Sequence, residues 1–190
     1  MSPPPSGRDF CLSDQSMVGG IMSSQGSFYY IHWADKPGIA VAKGNVDREV
    51  DDRLIAGGSV RQWEAPRFRL DTGVAVDYLA NSSAWRLCSK RLRDVLDTTR
   101  GDRDVLEWLP VAVVDRAGAE LPYWVLHFPD VPDVVHRTKS VFSGSVLVKA
   151  CIDITRASGH DVFTLSRYGV YLGGGRSGQV RDHPSKMHGN

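Results

Sequence analysis

The sequence predicts an α+β fold with a mostly antiparallel sheet and one clear helix. Two patterns lead to this expectation: apolar runs bounded by turn residues fill the second half of the chain, and a capped helical stripe precedes them. The chain has 190 residues, enough for one domain that buries about 70% of its unfolded surface. Its content of 42% hydrophobic and 24% charged residues is typical of globular proteins and excludes the disordered and fibrous classes.

The composition divides the chain into a flexible segment over residues 1–27, a single domain over 28–172 and a flexible, basic tail over 173–190. The first segment contains three consecutive prolines and many serines, so it buries too little apolar surface to offset its ordering entropy. The tail begins with Gly173–Gly178, which matches the GxGxxG pattern of dinucleotide sites. Too few residues follow for the helix and second strand of such a site, and we interpret the stretch as solvated chain.

The first predicted strand covers residues 28–33, and a short return strand covers 39–42. The turn between them places Pro37 at the first central position and Gly38 where a positive φ is required. After this pair, alternating polar and apolar residues around Phe68 indicate a further strand.

The clear helix is predicted near residues 89–99. Ser89 is a suitable N-cap because its hydroxyl can accept a hydrogen bond from the first free amides, and Leu92 and Leu96 belong to the apolar stripe. A second helix is indicated near 46–56, where apolar residues recur every four positions and a glycine pair follows.

Strands dominate the remainder. Residues 105–114 and 121–128 are apolar runs, and the loop 115–118 between them predicts a hairpin. Both faces of Tyr123–Leu126 are apolar, so this strand is expected to be central and covered by a helix or loop. Two further strands are predicted within 141–154 and 162–172.

Charge, hydropathy and cysteine content narrow the function classes. A formal net charge of +1 removes the electrostatic argument for a dedicated nucleic-acid binder. No apolar run approaches the roughly 18 residues of a membrane span, and the first residues lack the basic and apolar regions of a secretory signal. The three cysteines are far apart and odd in number, which indicates core residues at Cys88 and Cys151 rather than a disulfide scaffold. A cytoplasmic protein is therefore expected.

No catalytic, cofactor-binding or metal-binding motif stands out. The histidines are scattered, and we interpret each as structural or exposed rather than as a ligand. His160 and Asp161 follow Ser158 and Gly159 in a predicted turn, so Asp161 is expected to accept local backbone hydrogen bonds.

One charged stretch has a predicted binding role. Four carboxylates lie within six residues, at Asp47, Glu49, Asp51 and Asp52. They form either a solvated helix face or an acidic rim that steers a basic partner protein. We take these four residues as the candidate partner-binding residues.

An ordered string of short motifs runs from residue 54 to residue 171. The motifs are Pro66–Phe68, Asp77–Tyr78, Leu87–Leu96, Leu106–Val111, Tyr123–His127, Lys139–Phe142 and Asp161–Phe163. This string resembles the immunity-protein domain family of bacterial polymorphic toxin systems, first described as a domain of unknown function. The most specific part is the helix that ends at Leu96, followed by the strand that contains Leu109, Pro110 and Val111.

The resemblance implies a non-enzymatic protein that protects a bacterium by binding a cognate toxin, encoded by an adjacent gene, in a stoichiometric complex. It implies no cofactor and transfers no catalytic residue. Family members continue past the strand that contains Val162 and Phe163 into another strand and a closing helix. We expect that helix to be missing or altered after Leu172.

Two other classes remain open. A small cytoplasmic hydrolase or transferase would assemble its site from scattered histidines and carboxylates, and it predicts a concave pocket with convergent polar groups. A peptide-binding adaptor would use an exposed sheet edge.

Overall fold

The computed structural model describes residues 10–11, 31, 36–144 and 146–165. The strands among these residues are β1 (Phe10–Cys11), β2 (Ala42–Lys43), β3 (Arg67–Leu70), β4 (Tyr78–Leu79), β5 (Leu87–Ser89), β6 (Glu107–Val114), β7 (Glu120–His127), β8 (Val141–Ser143), β9 (Val146–Lys149) and β10 (Cys151–Ile152). The helices are α1 (Arg48–Ala56), α2 (Lys90–Thr99) and α3 (Ile154–Ala157). This mixture of strands and few helices is compatible with the predicted α+β class.

The main sheet has six strands in the order β2-β3-β6-β7-β5-β4. It is a mixed sheet, because β3 runs parallel to β6, whereas the sequence predicts a mostly antiparallel one. The physical reason is the long connection from β3 to β6, which contains α2 and has the length that a crossover to a parallel strand requires. The expectation of a mostly antiparallel sheet is therefore corrected.

Two isolated parallel bridges nearly close this sheet on itself. Ile39 pairs with Val74, and Ala42 pairs with Asn81 just beyond β4. The first bridge depends on Gly73, whose φ is +129° and whose Cα has no room for a side chain. A Cβ there would lie 2.6 Å from the backbone nitrogen of Ala40.

The inner face of the sheet encloses the main core. Phe68, Leu79, Leu87 and Val113 are fully buried there, and the sheet wraps around them together with Trp85. β7 lies between β6 and β5, so the predicted central position of Tyr123–Leu126 is confirmed.

α2 covers part of the outer face. It packs Leu92 and Leu96 against Cys88 and Leu126, and the Ser89 hydroxyl accepts a hydrogen bond from the Leu92 amide. The predicted helix and its cap are confirmed. The helix predicted near 46–56 is also confirmed as α1, which ends at Gly57 with φ at +78°.

A smaller layer contains the short strand pairs β1–β10 and β8–β9. Cys151 is disulfide-bonded, Cys88 is free and buried, and Cys11 is the residue opposite Cys151 in the β1–β10 ladder. The prediction of Cys151 as an unpaired core cysteine is therefore wrong. Odd cysteine number and wide spacing did not reveal the pairing, because a ladder can bring together residues that are distant in sequence.

The local turn predictions are confirmed. Pro37 and Gly38 form a turn in which Gly38 has a φ of +85°, and residues 115–118 connect β6 to β7 as a hairpin. Residues 162–165 form no strand, in contrast to the start of the predicted 162–172 strand. The predicted strand 28–33, apart from Ile31, and the tail 173–190 lie outside the described residues. None of the helices formed by the described residues has the length and apolar character of a membrane span.

Candidate partner-binding surface

The outer face of β6 and β7 carries an unusual set of side chains. Their register places Pro110 opposite Trp124 and Ala112 opposite Pro122. Both prolines are exposed and Trp124 is partly exposed. Since inward and outward side chains alternate along a strand, this face is the reverse of the one that buries Val111 and the main core.

Arg93 of α2 extends over this face. Its guanidinium carbon lies 4.9 Å from the ring centre of Trp124 and 5.7 Å from that of Trp108. Asp97, one turn further along the helix, binds the Arg93 Nε at 3.6 Å and accepts a hydrogen bond from Trp108 Nε1 at 2.9 Å. The cation is therefore held in place by two rings and one carboxylate.

The same face continues across β3 and β2. Arg67 and Arg69 are exposed on either side of the buried Phe68, and Lys43 is the register partner of Arg69. We call the whole surface the basic–aromatic face. It consists of Lys43, Arg67, Arg69, Arg93, Trp108, Pro110, Ala112, Pro122 and Trp124.

The four acidic residues predicted to bind a partner do not all face solvent in the structure. Asp47, Glu49 and Asp52 are exposed at or on α1, and we call these three the acidic helix face. Asp51 faces inward instead, where it accepts a hydrogen bond of 2.5 Å from Trp85 Nε1. Asp51 is therefore a structural residue. Of the four carboxylates predicted to bind a partner, Asp51 is the least accessible to one.

One titratable pair lies away from both faces. The Asp104 carboxylate accepts backbone hydrogen bonds from Gly101, Asp161 and Val162, and its Oδ1 lies 2.9 Å from Nδ1 of His160. Burial raises the pKa of Asp104, but these donors outweigh it and hold the pKa below its usual value. Both oxygens of Asp104 accept hydrogen bonds, and the donors come from two segments. The pair therefore joins the loop after α2 to the loop after α3. The backbone N–H of Asp161 donates to Asp104, and its carboxylate accepts no backbone hydrogen bond from the described residues, in contrast to the prediction.

The two other histidines that the structure describes, His127 and His136, do not converge on this pair. His127 is buried and its Nε2 lies 2.9 Å from the Gly58 carbonyl oxygen, while His136 is near Thr138. In the part of the chain that the structure describes, no group of three or more His, Cys, Asp or Glu side chains could hold a metal ion. His32 and the two tail histidines, His183 and His188, lie outside the described residues.

The basic–aromatic face was not found from the sequence. Its signal was present: Trp108, Pro110, Ala112, Pro122 and Trp124 occupy alternate positions of two predicted strands. These five residues form one surface because of the β6–β7 register. Arg67 and Arg69 join that surface through the parallel pairing of β3 with β6, and Arg93 joins it from α2.

Comparisons of this chain with protein-family models, characterised proteins and solved structures find no match.

Proposed function

We propose that the protein is an immunity protein that binds a cognate toxin or effector domain and neutralises it in a stoichiometric complex. The observation that carries the proposal is the Arg93–Trp124 stack at the exposed, proline-bordered face of β6 and β7. Trp and Arg are the residues most enriched among interface positions that dominate binding energy. An Arg already held by rings and a carboxylate loses little side-chain entropy when a partner docks on it.

The sequence resemblance supports the same proposal independently. It implies toxin binding by a non-enzymatic domain, and the resembling motifs include the helix and strands that carry Arg93, Trp108 and Trp124. In the proposed mechanism the bound protein covers the active site of the toxin or blocks its movement. A tight inhibitor of this kind buries about 1,600 Å² of surface in total.

The acidic helix face is proposed as a second, peripheral contact. Asp47, Glu49 and Asp52 are exposed, and no salt bridge joins them to a basic side chain in the described part of the chain. Exposed charges at the border of an interface chiefly change the association rate. They would steer a partner that presents a basic patch there.

Cytoplasmic location is also part of the proposal and stays a prediction. The disulfide at Cys151 is the observation against it, because disulfides form and persist mainly in oxidising compartments. Cell fractionation followed by thiol counting tests the location directly.

A hydrolase or transferase is the second candidate, and the His160–Asp104 pair is the observation that favours it. A carboxylate that binds Nδ1 orients an imidazole so that Nε2 can act as a base. Under this alternative, His160→Ala would abolish a hydrolytic activity measured on a panel of ester and phosphoester substrates. Under the immunity proposal, the same variant would still protect cells.

The experiment for the immunity proposal is co-expression with the product of each adjacent gene, followed by affinity purification and a growth-rescue assay. We expect one neighbour to be toxic, to be rescued and to purify in an equimolar complex. Trp124→Ala is expected to weaken that complex by about 2 kcal/mol or more, the size of a dominant interface residue. Phe142→Ala is the matched control, because Phe142 is an aromatic residue that is 38% exposed on another strand pair.

Because Trp124→Ala removes packing as well as a contact, Pro122→Glu provides a second test. Pro122 is exposed, so this change places a carboxylate on the face without emptying the core. Val148→Glu, at a site that is 56% exposed, is its control. If no neighbour is bound or neutralised, or if both face variants bind as tightly as the wild type, the proposal is wrong.

A further inference from the structure

The basic–aromatic face contains a like-charge arrangement that folding does not explain. Lys43 and Arg69 are direct register partners in the antiparallel pair of β2 and β3. Like charges directly opposite each other in a sheet are destabilising. Lys43 is partly compensated by Asp71, at 3.6 Å from its Nζ. Among residues 36–144 and 146–165, no carboxylate forms a corresponding salt bridge with Arg69.

Arg67 lies two residues before Arg69 on the same face of β3, and it too has no carboxylate partner among the described residues. It is exposed, and its neighbours across the sheet are Ala112 on β6 and then Pro122 on β7. These neighbours provide no counter-charge. Because adjacent strands are about 4.8 Å apart, the Arg67 backbone lies only about 10 Å from that of Pro122. The unpaired cations and the Trp124 stack are therefore parts of one surface.

No carboxylate of the described residues forms a salt bridge with Arg67 or Arg69. Asp97 binds Trp108, Arg93 and, at 3.8 Å, Arg100. Glu120 lies in the same cross-strand row as Arg69, but β6 separates their two strands and no salt bridge joins them. Within the described part of the chain, the guanidinium groups of Arg67 and Arg69 thus have no carboxylate partner, and they can bind carboxylates of another molecule.

We propose that the basic–aromatic face binds an acidic protein segment whose carboxylates pair with Arg67 and Arg69 while its apolar side chains rest on Trp124 and the two prolines. This inference rests on the proposed function, since it names the chemistry of the partner at the same surface. Guanidinium groups bind carboxylates through two parallel hydrogen bonds, which gives orientation as well as affinity.

A nucleic acid is the competing occupant of a basic surface with aromatic rings. Proteins that bind single strands stack bases on open ring faces. Here Arg93 already lies over the ring of Trp124, so that ring face is not open for a base to stack on it. Exposed prolines at Pro110 and Pro122 offer apolar contact but no cation for phosphate. These features favour a protein partner.

The test uses the purified full chain and two charge-matched probes, a glutamate homopeptide and a thymidine oligonucleotide, titrated at about 0.1 M salt, where the Debye length is ~10 Å. The readouts are tryptophan fluorescence and fluorescence anisotropy of labelled probes. The variant is Arg67→Glu combined with Arg69→Glu. The control is Arg61→Glu combined with Arg116→Glu, which makes the same change in net charge at two exposed arginines outside the face.

We expect the glutamate peptide to bind the wild type, to bind the control with a similar Kd and to bind the Arg67/Arg69 variant at least about tenfold more weakly, a difference of one decade in Kd. Tighter binding of the oligonucleotide than of the peptide would overturn the proposal in favour of a nucleic acid. No binding of the peptide, or equal weakening in both variants, would overturn it as well. Circular dichroism of each variant establishes that it is folded.

This experiment needs no toxin, so its outcome is separate from that of the co-expression experiment. If the peptide fails to bind but a toxin is neutralised, the proposed function stands and the partner chemistry is wrong. If the peptide binds at Arg67 and Arg69 but no neighbour is neutralised, the surface stands and the immunity function is wrong.

Discussion

His160 and Asp104, which are 56 residues apart in the sequence, are joined by a contact of 2.9 Å between Nδ1 and Oδ1. Oδ2 of the same carboxylate accepts the backbone N–H groups of Gly101, Asp161 and Val162. One buried side chain thus connects the end of α2 with the loop that follows α3. The loop is also attached by the hydrogen bond from Arg86 to Thr164 and by the packing of Val162 and Phe163 against buried apolar residues.

Asp104→Asn is expected to reduce the free energy of unfolding at neutral pH by about 2 kcal/mol, because buried donors lose a charged acceptor. The folded-state pKa of Asp104 lies below its unfolded value of 3.8, so the carboxylate stabilises the fold fully above that pH. The contribution is lost as the pH falls through the folded-state pKa.

Urea denaturation of the wild type and Asp104→Asn across this range provides the measurement. The difference in stability should shrink as the pH falls below about 4, the usual range of an aspartate. Asp102→Asn, at an exposed carboxylate in the same loop, is the control and should change little. A difference that is constant with pH would contradict the role assigned to the Asp104 charge.

Gly73→Ala should destabilise the protein far more than Gly118→Ala. Both glycines have positive φ, at +129° and +87°, where an alanine costs about 1–3 kcal/mol in strain. Only at Gly73 would the new Cβ also meet backbone, 2.6 Å from Ala40 N, whereas a Cβ added at Gly118 would meet no other described residue within 4 Å apart from its chain neighbours. Thermal unfolding of the two variants measures the difference. Equal shifts in Tm would mean that the Ile39–Val74 bridge contributes little to closing the sheet.

Local features could be predicted from the sequence because they depend on neighbouring residues. The Ser89 cap and the Pro37–Gly38 turn each need only a few adjacent side chains with the right backbone preference. The parallel pairing of β3 with β6 depends instead on how a long connection folds back, and no local pattern encodes it. The same is true of the Arg93–Trp124 stack, which depends on the pairing of β5 with β7 and on the position of α2 beside them.

The orientation of Asp51 is an intermediate case. It lies three residues before Leu54, which belongs to the apolar stripe of α1, so a helical projection places it beside the buried side. Asp52 lies on the opposite side. The helical projection of α1 therefore distinguishes Asp51 from Asp52. Counting the charges of this stretch does not, because it gives both carboxylates the same weight.

Asp51 and Asp52 are thus expected to respond differently to substitution. Asp51→Ala removes the acceptor of the Trp85 indole N–H and should reduce the free energy of unfolding by about 1.5–3 kcal/mol, the range for a hydrogen bond to a charged group. Asp52→Ala should change it by less than about 0.5 kcal/mol, as at most exposed sites. Chemical denaturation measures both, and equal losses would contradict the inward orientation of Asp51.

Replacing Asp47, Glu49 and Asp52 together with their amides is expected to slow association with the cognate partner while leaving dissociation unchanged. The three carboxylates are exposed, so they act on diffusional approach rather than on close packing. Stopped-flow association at low and high salt is the measurement. The replacement of three other exposed carboxylates, Asp94, Asp102 and Asp130, is the control for net charge. A higher dissociation rate would instead place the acidic helix face inside the interface.

The cysteines should separate into two classes by their reactivity. Burial raises the pKa of the Cys88 thiol to about 12, so little thiolate is available for alkylation in the folded protein at neutral pH. We expect no modification by iodoacetamide in the folded, unreduced protein, modification of Cys88 alone after unfolding, and modification of all three cysteines after unfolding and reduction. Intact-mass spectrometry counts the added groups, and Cys88→Ala is the control that should show none before reduction. Modification of all three without reductant, in protein taken directly from the cytoplasm of the producing cell, would show that the Cys151 disulfide does not form there.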